Sequence, residues 1–421
     1  MPSNNQQNTL NIFLVGGAVR DQLLGIDSKD HDFLVVGATE AQMLAQGYLP
    51  VGKDFPVFLH PLTKQEYALA RTERKHGKGY TGFQCYAAAD VTISQDLQRR
   101  DLTINAMAMS TNGELIDPYH GKIDLDNRIL RHVSPAFSED PLRVLRVARF
   151  AARYHHLGFS IAEETLTLMT NISNSGELNH LATERIWQEM SKSLLEQHPE
   201  VFFQVLKQCQ ALKQLWPALD KLWGIPNPIE WHPEICTGTH TMMVLQQAAK
   251  LSPKLTIRFA ALCHDLGKGL TPEQVYPSHP GHEQTGLPLV EAICQHLKVP
   301  NDVKALALKV CQYHLHCHKA FQLNEKTLLK LFNQLDIWRK PSFYDDFLLA
   351  CKADFRGRKG FEQRPYPQFD YLNATAQAAR SVSATKFVAQ GMQGSAIKQA
   401  LHRARLAAIS NVKQQFALPD R

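Results

Sequence analysis

Short apolar runs alternate with glycines and polar turns over the first part of the chain. Four of them, at residues 12–15, 33–36, 57–59 and 66–71, are short and bounded by glycine or polar residues. Runs of this kind are typical of strands. The segment after the first run, residues 18–25 (AVRDQLLG), has a helical pattern that ends at a glycine. The pattern predicts strands and helices together, in a region that ends near residue 135.

The spacing becomes helical from residue 138 onward. Between Ser138 and Arg153 (SEDPLRVLRVARFAAR), arginines and apolar residues recur at spacings of three and four, which places them on opposite faces of a helix. Ser138 to Pro141 is a helix start signal, because proline is tolerated in a first turn. Residues 159–224 keep a helical pattern, and a linker follows at residues 226–233 (PNPIEWHP).

Composition narrows the class of protein. With 421 residues, the chain is long enough for roughly two to four domains with ample core. A net charge of +6 and a pI of about 8.8 are compatible with an RNA partner. No signal-peptide pattern or membrane-spanning apolar run is present. Eight cysteines without a CxxC pair predict reduced thiols in a cytoplasmic protein and exclude a cysteine zinc site.

The first strand, the glycine pair after it and the following helix form a candidate phosphate site. Gly16-Gly17 leaves backbone N–H groups open where no Cβ intrudes. Arg20 lies in the first helical turn and can reach the same phosphates. An ordinary turn is the alternative interpretation of the glycine pair.

Two aspartates lie at positions i and i+2 on the second strand, so they point the same way. Asp30 and Asp32 would repel each other without a cation between them, which favours Mg²⁺ bridging nucleotide phosphates. A solvent-exposed acidic turn is the alternative. Glu66, on the strand at 66–71, is either a third carboxylate of this site or a surface glutamate.

Four arginines share one face of the helix at 138–153: Arg143, Arg146, Arg149 and Arg153. One interpretation is a solvated basic face with Asp140 as the helix cap. The other is a surface that reads nucleotides, because arginine presents a planar fork suited to phosphates and base edges. In that case Asp140 and Arg143, one turn apart, accept and donate hydrogen bonds along the edge of a nucleobase.

Two further segments of the first region carry polar chemistry. Residues 72–83 (TERKHGKGYTGF) are glycine-rich and basic, which predicts a functional loop. Residues 99–109 (RRDLTINAMAM) include Asn105 among small residues that suit close packing beside a bound nucleotide.

A spaced set of histidines and aspartates begins after the linker: His240, His264-Asp265, His279, His282, His314 and Asp354. A single histidine on a helix is usually a core or surface residue. The adjacent pair His264-Asp265 is different, because its imidazole and carboxylate project together toward one ion.

The motifs of the first region resemble those of the bacterial CCA-adding enzymes, tRNA nucleotidyltransferases of the class that includes bacterial poly(A) polymerase. The resemblance covers residues 12–153 and rests, in order, on GGAVRD, Asp30-x-Asp32, ERKHGKGYTGF, RRDLTINAM, DPYHG and EDPLRVLR. It implies that Asp30 and Asp32 hold the catalytic metals and that Asp140 with Arg143 reads the base of ATP or CTP, supported by Glu184 and Arg185. It places the remaining nucleotide contacts at Gly17, Arg20, Arg100, Arg146 and Arg149.

The second set resembles the HD superfamily of metal-dependent phosphohydrolases. The signature H…HD…D maps onto His240, His264, Asp265 and Asp354, with His264 and Asp265 also catalytic. Asp336, Asp345 and Asp346 are alternatives for the last ligand. The resemblance gives His282 and His314 as contacts to a second metal or to phosphate, and we predict that His316 and His318 are surface histidines.

Together the resemblances imply an α+β fold, with a nucleotidyltransferase head on a mixed sheet followed by an all-α neck, body and tail. The expected divisions are the head at 1–135, a base-reading neck and body at 136–225, the HD domain at 226–360 and a tail at 361–421. The implied reactions are template-independent addition of CCA to the tRNA 3′ end from CTP and ATP, and phosphoester hydrolysis of the phosphatase, 2′-nucleotidase and 2′,3′-cyclic phosphodiesterase types. Alternatives are a poly(A) polymerase, an HD phosphohydrolase with a head that only binds RNA, and a non-catalytic RNA-binding protein.

The implied cofactors are Mg²⁺ for the head and Ni²⁺ or another divalent transition metal for the HD domain. The implied partners are tRNA, CTP and ATP, with no membrane, and the protein is expected to be a monomer or homodimer. In the tail, Lys398, His402, Arg403 and Arg405 either meet tRNA phosphates or belong to a plain amphipathic helix.

Overall fold

The structure is a computed structural model, and it describes residues 10–28, 31–51, 56–75 and 83–416. The chain divides into two compact units, Met1–Glu189 with Gln204–Leu215, and Met190–Phe203 with Trp216–Arg421. The helices Thr183–Leu194 and Pro199–Gln208 each have residues in both units.

A mixed sheet of seven strands is the centre of the first unit. The strands described in this unit are β1 (Asn11–Val15), β2 (Asp32–Val36), β3 (Leu49–Val51), β4 (Val57–Leu59), β5 (Glu66–Leu69), β6 (Thr72–Lys75), β7 (Phe83–Tyr86), β8 (Ala108–Ser110), β9 (Leu115–Ile116), β10 (Ile129–Leu130) and β11 (Ser160–Ile161). Of these, β6 pairs with β7 and β10 pairs with β11 outside the seven-stranded sheet. The sheet order is β3-β4-β5-β2-β1-β8-β9, with β2 and β5 parallel and the other neighbours antiparallel. The α+β fold with a mixed-sheet head is confirmed.

The alternation of side chains along β2 explains why this sheet has two buried faces. Leu34 packs into a core with Val15 and Ala108, whereas its neighbour Val35 packs into a second core with Met43 and other residues. Successive residues of a strand point to opposite faces. An almost fully apolar run such as FLVV is therefore what a strand covered on both faces requires.

The segment from residue 72 to 83 was predicted to be a loop, and its two ends instead pair as strands. β6 and β7 form an antiparallel hairpin in which Thr72 is opposite Tyr86. Residues 76–82, which complete the predicted loop, lie outside the described residues. Aromatic and β-branched residues at the outer ends, Thr72 and Tyr86, favour pairing that the charged composition of the segment obscured.

Short helices flank the sheet, and longer ones follow it: α1 (Gly17–Leu23), α2 (Glu40–Ala45), α3 (Ile93–Gln98), α4 (Gly121–Asp126), α5 (Leu142–Tyr154), α6 (Glu163–Asn174), α7 (Thr183–Leu194), α8 (Pro199–Gln208) and α9 (Ala211–Leu215). α5 is the predicted arginine helix. Apart from Arg146 and Arg153, every residue of α5 is buried, Arg143 and Arg149 included. Two of the four arginines on its basic face are therefore buried within the unit, and the other two are partly exposed.

The described part of the second unit is helical. Its helices are α10 (Pro217–Asp220), α11 (Thr237–Leu251), α12 (Leu255–Cys263), α13 (His282–His296), α14 (Asn301–His318), α15 (Glu325–Gln334), α16 (Pro341–Arg356), α17 (Pro367–Ser381), α18 (Thr385–Ala389) and α19 (Gly394–Gln415). α11, α12, α14 and α16 pack on one another, and α13 packs on α14. Among the described helices, none is long and apolar enough to span a membrane.

A glycine lets α13 approach the turn that follows α12. A Cβ on Gly267, in the 3₁₀ turn Leu266–Leu270, would overlap the carbonyl oxygen of His282 and lie 2.7 Å from the amide nitrogen of Gly286. No larger residue fits there without moving the backbone. This close approach brings the first residue of α13 beside the end of α12.

Candidate active sites

The glycine turn between β1 and α1 forms one wall of a cavity in the first unit. Gly16 has a φ of 68°, in the left-handed region, and its amide donates to the carbonyl of Met107 at 3.1 Å. A Cβ on Gly16 would lie 2.6 Å from Nη1 of Arg100, so only glycine leaves room for that guanidinium. The sequence thus brings Gly17 and Arg100, from distant segments, to one surface.

Arg20 is held in the same wall by neighbouring side chains. It is buried, pairs with Asp21 at 2.8 Å and donates to Oδ1 of Asn105. Asp21 in turn accepts from the hydroxyl of Tyr154 at 3.1 Å, and Arg153 lies 3.3 Å from it. Because α5 carries the last two residues, this network ties α1 to the arginine helix.

The cavity has a volume of about 570 Å³ and a strongly basic lining. Among the described residues, nine arginines and three aspartates line it, together with Gly16, Gly17, Asn105, Leu142 and Phe150. The arginines are Arg20, Arg71, Arg99, Arg100, Arg143, Arg146, Arg149, Arg153 and Arg185, and the aspartates are Asp32, Asp101 and Asp140. Such an excess of guanidinium groups suits a ligand with several negative charges.

Buried aspartates fix several of these arginines. Asp101 accepts from Arg146 at 2.7 Å and from Asn105 at 2.9 Å. Burial opposes its ionisation, but these two partners hold the pKa of Asp101 well below its ordinary value. Asp96, also buried, pairs with Arg99 at 2.7 Å and with Arg100 at 3.3 Å. The guanidinium groups are thereby oriented before any ligand enters.

The residues predicted to read the base lie at the start of α5 and already have partners. Asp140 accepts from the amide of Leu142 at 3.2 Å and pairs with Arg185 at 2.9 Å. Arg143 donates from Nη1 to the carbonyl of Ala136 at 2.8 Å and from Nη2 to the carbonyl of Arg99. Asp140 is thus both a helix cap and a wall of the cavity, and the two interpretations of the sequence are compatible.

Of the predicted carboxylate pair, the structure describes one member. Asp32 is exposed at the start of β2, lines the cavity and lies opposite Glu66 of β5 in the register of the sheet. Asp30 lies outside the described residues. Carboxylate oxygens are the donors that Mg²⁺ prefers, and Asp32 faces the cavity that the arginines line.

The second unit contains a buried cluster of imidazoles and carboxylates. Nε2 of His240, on α11, lies 3.1 Å from Oδ1 of Asp354, on α16, and 4.0 Å from Oδ2 of Asp265. Nε2 of His264 lies 3.2 Å from Oδ2 of Asp265 and 3.7 Å from Oδ1 of Asp354. None of the four residues is more than 3% exposed.

Two further histidines approach the other oxygen of Asp265. Its Oδ1 is 3.2 Å from Nε2 of His282 and 3.6 Å from Nε2 of His314, and the two imidazole nitrogens are 3.2 Å apart. Asp265 therefore stands between two sets of nitrogen donors. Both sets have the geometry to hold a metal ion: His240, His264 and Asp265, and Asp265, His282 and His314.

The orientation of the imidazoles fits a metal at their centre. Nδ1 of His264, His282 and His314 each contacts a main-chain carbonyl, at 2.7, 2.7 and 3.0 Å, and Nδ1 of His240 lies 2.8 Å from Oε1 of Glu234. Nδ1 is engaged by a carbonyl in the first three rings and lies close to a carboxylate in His240, so Nε2 of each ring is the nitrogen that faces the centre. Metal-binding histidines are commonly oriented by such contacts.

Unsatisfied buried atoms support the same interpretation. Nε2 of His264 and Oδ1 of Asp265 are buried, and within the described residues neither has a partner in hydrogen-bonding geometry. Burying such atoms without a partner is costly, and a divalent cation would satisfy both. Burial lowers the pKa of His314 to about 3, which keeps it in the neutral form that binds metals.

Lys268 and the charged residues of the cluster determine the electrostatics of this site. Lys268 donates to Oδ2 of Asp265 at 2.7 Å and to Asn227 at 2.9 Å. Burial opposes ionisation of Asp265 and Asp354, but the neighbouring imidazoles, together with Lys268 in the case of Asp265, hold the pKa of each carboxyl well below its ordinary value. Burial also opposes protonation of His264, whose pKa is raised by Asp265 and Asp354.

Comparison with known proteins covers both units. The profile of the Poly A polymerase head domain matches residues 12–131, that of the probable RNA and SrmB-binding site of polymerase A matches 158–222, and that of the HD domain matches 237–336. A Multifunctional CCA protein from Pseudoalteromonas atlantica is 58% identical over 401 residues, which are 95% of this chain and 99% of the relative. The chain belongs to the multifunctional CCA protein family.

Solved CCA-adding enzymes share the fold of this multifunctional CCA protein family member. The apo form II of one has a TM-score of 0.65 at 19% identity and covers 96% of this chain and 88% of its own. The Thermotoga maritima enzyme complexed with tRNA_CCA has a TM-score of 0.62 at 17% identity and covers 96% and 90%. An ATP complex has a TM-score of 0.64 at 17% identity and covers 96% and 88%.

In this family member the structure brings together most of the residues selected from the sequence. Gly17, Arg20, Arg100, Asp140, Arg143, Arg146, Arg149 and Asp32 all line one cavity, and His240, His264, Asp265 and Asp354 form one cluster. Two of the three alternatives to Asp354 have other partners: Asp336 pairs with Arg339, and Asp346 pairs with Lys254. His279 points elsewhere, since its Nε2 contacts the carbonyl of Pro226 at 2.8 Å.

Four residues that the sequence interpretation left without a role stand directly behind the selected ones. Glu234 contacts His240, Lys268 contacts Asp265, and Glu189 pairs with Arg149 at 2.6 Å. His318, predicted to be a surface residue, lies 2.6 Å from Asp354 and is partly buried. Lys268 and His318 lie one helical turn after Asp265 and His314, and this spacing was the available signal.

Proposed function

We propose that the first unit adds C, C and A to the 3′ end of tRNA, using CTP and ATP and releasing pyrophosphate. The observation that carries this proposal is the cavity lined by the GGAVRD turn and the arginine helix, where the described part of the chain contributes nine arginines and three aspartates. It is supported by the relative named Multifunctional CCA protein and by CCA-adding enzymes solved with tRNA, CTP and ATP.

The roles proposed for the cavity residues follow from their positions. Gly17 offers its open amide, and Arg20 and Arg100 beside it bind the phosphates. Arg146 and Arg149, oriented by Asp101 and Glu189, bind the triphosphate farther along α5. Each of these contacts acts on all nucleotides alike.

Asp140 and Arg143 are proposed to read the base. Both guanidinium termini of Arg143 donate to main-chain carbonyls. To donate to a base, one of these termini must therefore give up its hydrogen bond to the main-chain carbonyl and bind the nucleotide instead. Asp140 keeps a carboxylate oxygen for a base amino group only if it remains oriented by Arg185.

The attacking group is the 3′-hydroxyl of the tRNA, and the proposed holders of Mg²⁺ are Asp30 and Asp32. When bound, the ion would lower the pKa of that hydroxyl and neutralise charge on the phosphates. The arginines of the cavity stabilise the charge that spreads over the α-phosphate and the leaving pyrophosphate.

The test uses tRNA that lacks its 3′ end, radiolabelled CTP or ATP, and Mg²⁺. We expect addition that stops after the complete CCA end. A poly(A) polymerase, the second candidate with the same head, would instead extend a long tail from ATP alone. A head that only binds RNA would retain the tRNA without incorporating label.

The second unit is proposed to hydrolyse phosphoesters, as a phosphatase, 2′-nucleotidase and 2′,3′-cyclic phosphodiesterase. The cluster with its unsatisfied His264 and Asp265 atoms carries this proposal. His240, His264, Asp265 and Asp354 would hold a divalent ion, and His282 and His314 would hold a second ion or contact the phosphate. A bound ion supplies an activated water, and Lys268 adds positive charge beside it.

Imidazole ligands favour borderline ions such as Ni²⁺, whereas the carboxylates of the head suit Mg²⁺. We expect that chelation followed by Mg²⁺ alone restores addition and leaves hydrolysis low, and that Ni²⁺ restores hydrolysis. Full recovery of both activities with Mg²⁺ would contradict the ligands assigned to the second unit.

The domain boundaries, the cellular location and the oligomeric state are also proposed. We propose a head at 1–135, a neck and body at 136–225, an HD domain at 226–360 and a tail at 361–421. The protein is proposed to act on tRNA in the cytoplasm as a monomer or homodimer.

A further inference from the structure

A chain of hydrogen bonds runs from Asp354 of the buried cluster through His318 to Tyr366, which lies outside the cluster. Nε2 of His318 lies 2.6 Å from Oδ2 of Asp354. The other nitrogen of the same ring, Nδ1, lies 3.0 Å from the hydroxyl of Tyr366. His318 ends α14, Asp354 lies on α16, and Tyr366 immediately precedes α17, so three helices meet at this imidazole.

The two oxygens of Asp354 have different surroundings. Oδ1 faces the candidate metal position, with Nε2 of His240 at 3.1 Å and Nε2 of His264 at 3.7 Å. Oδ2 is occupied by His318 on the opposite side. A carboxylate with one oxygen held in this way presents a single oxygen to an ion.

His318 does not itself have the geometry of a ligand. Both of its ring nitrogens are engaged, one by Asp354 and the other by Tyr366. Its Nε2 contacts Oδ2 of Asp354, which is not the oxygen that lies near His240 and His264.

Tyr366 is fixed independently of the cluster. Its side chain is buried, with 4% of the residue exposed, and its ring stacks on Phe355 with the centroids 4.7 Å apart. Phe355 directly follows Asp354 in α16. The hydroxyl of Tyr366 is therefore held in position, and its contact with Nδ1 constrains the orientation of the His318 ring.

We infer that His318, oriented by Tyr366, is a positioning residue that fixes Asp354 so that only its Oδ1 binds the metal ion of the second unit. The inference rests on the proposed phosphohydrolase function and adds two residues to it. It assigns no chemistry of its own to His318, which acts through Asp354.

Metal binding to the full-length chain, measured by titration calorimetry after chelation, tests this assignment. The variants are His318→Leu, His318→Gln and Tyr366→Phe, each titrated with Ni²⁺ and with Mn²⁺. Residues that orient a metal ligand typically contribute tenfold to a hundredfold in affinity, so we expect His318→Leu to weaken binding about 10- to 100-fold. Glutamine can still donate to Asp354, so His318→Gln should recover part of the affinity.

Tyr366→Phe removes one hydrogen bond at a distance from the ion. The expected loss is about twofold to tenfold, the range of a single net hydrogen bond. His316→Gln is the matched control, because His316 lies two residues earlier on α14, packs on Tyr313 and is expected to leave affinity unchanged. Thermal unfolding of each metal-free variant identifies any that does not fold, and Tyr366→Phe is the variant least prone to that failure.

Three results would overturn the inference. Wild-type affinity in His318→Leu removes the positioning role. Complete loss of binding in both His318 variants, with Tyr366→Phe unaffected, makes His318 a direct ligand instead. If the wild-type chain binds neither ion and hydrolyses no phosphoester, the proposed function fails, and the inference fails with it. The wild-type titration separates this last result from the first two.

Discussion

At the scale of single residues, Asp140 combines a structural and a selective role. It caps the amide of Leu142, pairs with Arg185 at 2.9 Å and lines the cavity. A polar contact to a base edge is worth about 1–3 kcal/mol of discrimination. We therefore expect Asp140→Ala to raise misincorporation of UTP or GTP and to lower addition of CTP and ATP. Single-turnover addition of each of the four nucleotides measures both effects.

Arg146→Ala is the comparison for this prediction. Arg146 lines the same cavity but pairs with Asp101, farther along α5. Its loss should weaken all nucleotides alike and leave the preference unchanged. An Asp140→Ala protein that melts earlier yet keeps the wild-type preference would show that the residue is only a helix cap.

At the scale of secondary-structure elements, the contact between the turn Leu266–Leu270 and α13 supports the second site. A Cβ on Gly267 would overlap the carbonyl oxygen of His282. We expect Gly267→Ala to lower the free energy of unfolding by about 1–3 kcal/mol, as overpacking does. It should also reduce hydrolysis, because the displaced backbone carries His282 away from Asp265. Urea unfolding and a phosphatase assay measure the two effects.

Gly269 is a matched control in the same turn. A Cβ there would meet its nearest neighbour, a side-chain carbon of Leu222, at 3.6 Å, which is an ordinary contact. Gly269→Ala should leave both stability and hydrolysis close to the wild type. Equal losses in the two variants would mean that the turn tolerates no side chain anywhere, and the argument from close approach would be wrong.

Strands and helices could be predicted from the sequence wherever the local spacing of apolar residues was sufficient to specify them. The run FLVV made a buried strand at β2, and spacings of three and four made α5 a helix. The pairing of β6 with β7 was missed, because charged residues and glycines dominated that segment. The burial of α5 was also missed. A basic face is interpreted as solvated unless its partners are known, and Asp21, Asp101 and Glu189 come from other segments.

The histidine cluster of the second unit was predictable only in part, because several of its residues are far apart in the sequence. Adjacent His264 and Asp265 indicate an ion by themselves, and the separate His240 and Asp354 joined them through the family signature. His318 needed the packing of α14 against α16 to acquire its role, since it lies 36 residues from Asp354 in the sequence. Long-range partners of this kind leave no periodic signal.

At the scale of the whole molecule, the two proposed activities should separate. Every described residue of the arginine-lined cavity belongs to the first unit, and every residue of the histidine cluster belongs to the second. We expect Asp32→Ala to abolish CCA addition and leave phosphoester hydrolysis intact. Asp265→Ala should do the reverse. Both activities are assayed on the same preparations, after thermal unfolding has identified any variant that does not fold.

Asp265→Asn is the milder variant, because its amide oxygen can still accept a hydrogen bond from the buried Lys268, whereas alanine leaves that lysine with no acceptor at this position. Loss of both activities from one substitution in a folded protein would contradict the assignment of two independent sites.

The stability of the metal-free chain should fall on mild acidification. Burial lowers the pKa of His232 to about 4 and that of His314 to about 3, and it also lowers the pKa of His318. Below about pH 6.5 these histidines take up protons when the chain unfolds but remain neutral in the folded state. Unfolding therefore binds protons, and the free energy of unfolding decreases as the pH falls from 6.5 toward 4.

His264 opposes this trend, since its pKa is raised and its contribution is present at low pH and lost as the pH rises. Because one histidine with a raised pKa opposes three histidines with lowered pKa values, the free energy of unfolding should still decrease as the pH falls. Urea titrations of chelated protein at several pH values between 7 and 4 measure it, and His232→Gln should flatten the curve. A free energy of unfolding that does not change with pH over this range would contradict the buried neutral state of these side chains.

The burial of the cluster also governs how fast an ion is exchanged. None of His240, His264, Asp265 and Asp354 is more than 3% exposed, and the turn carrying Gly267 is closed against α13. An ion held there can leave only when part of the surrounding helices opens, so its residence time follows the frequency of local opening and not the diffusion of a chelator. The rate of metal release should accordingly become independent of chelator concentration once the chelator is in excess.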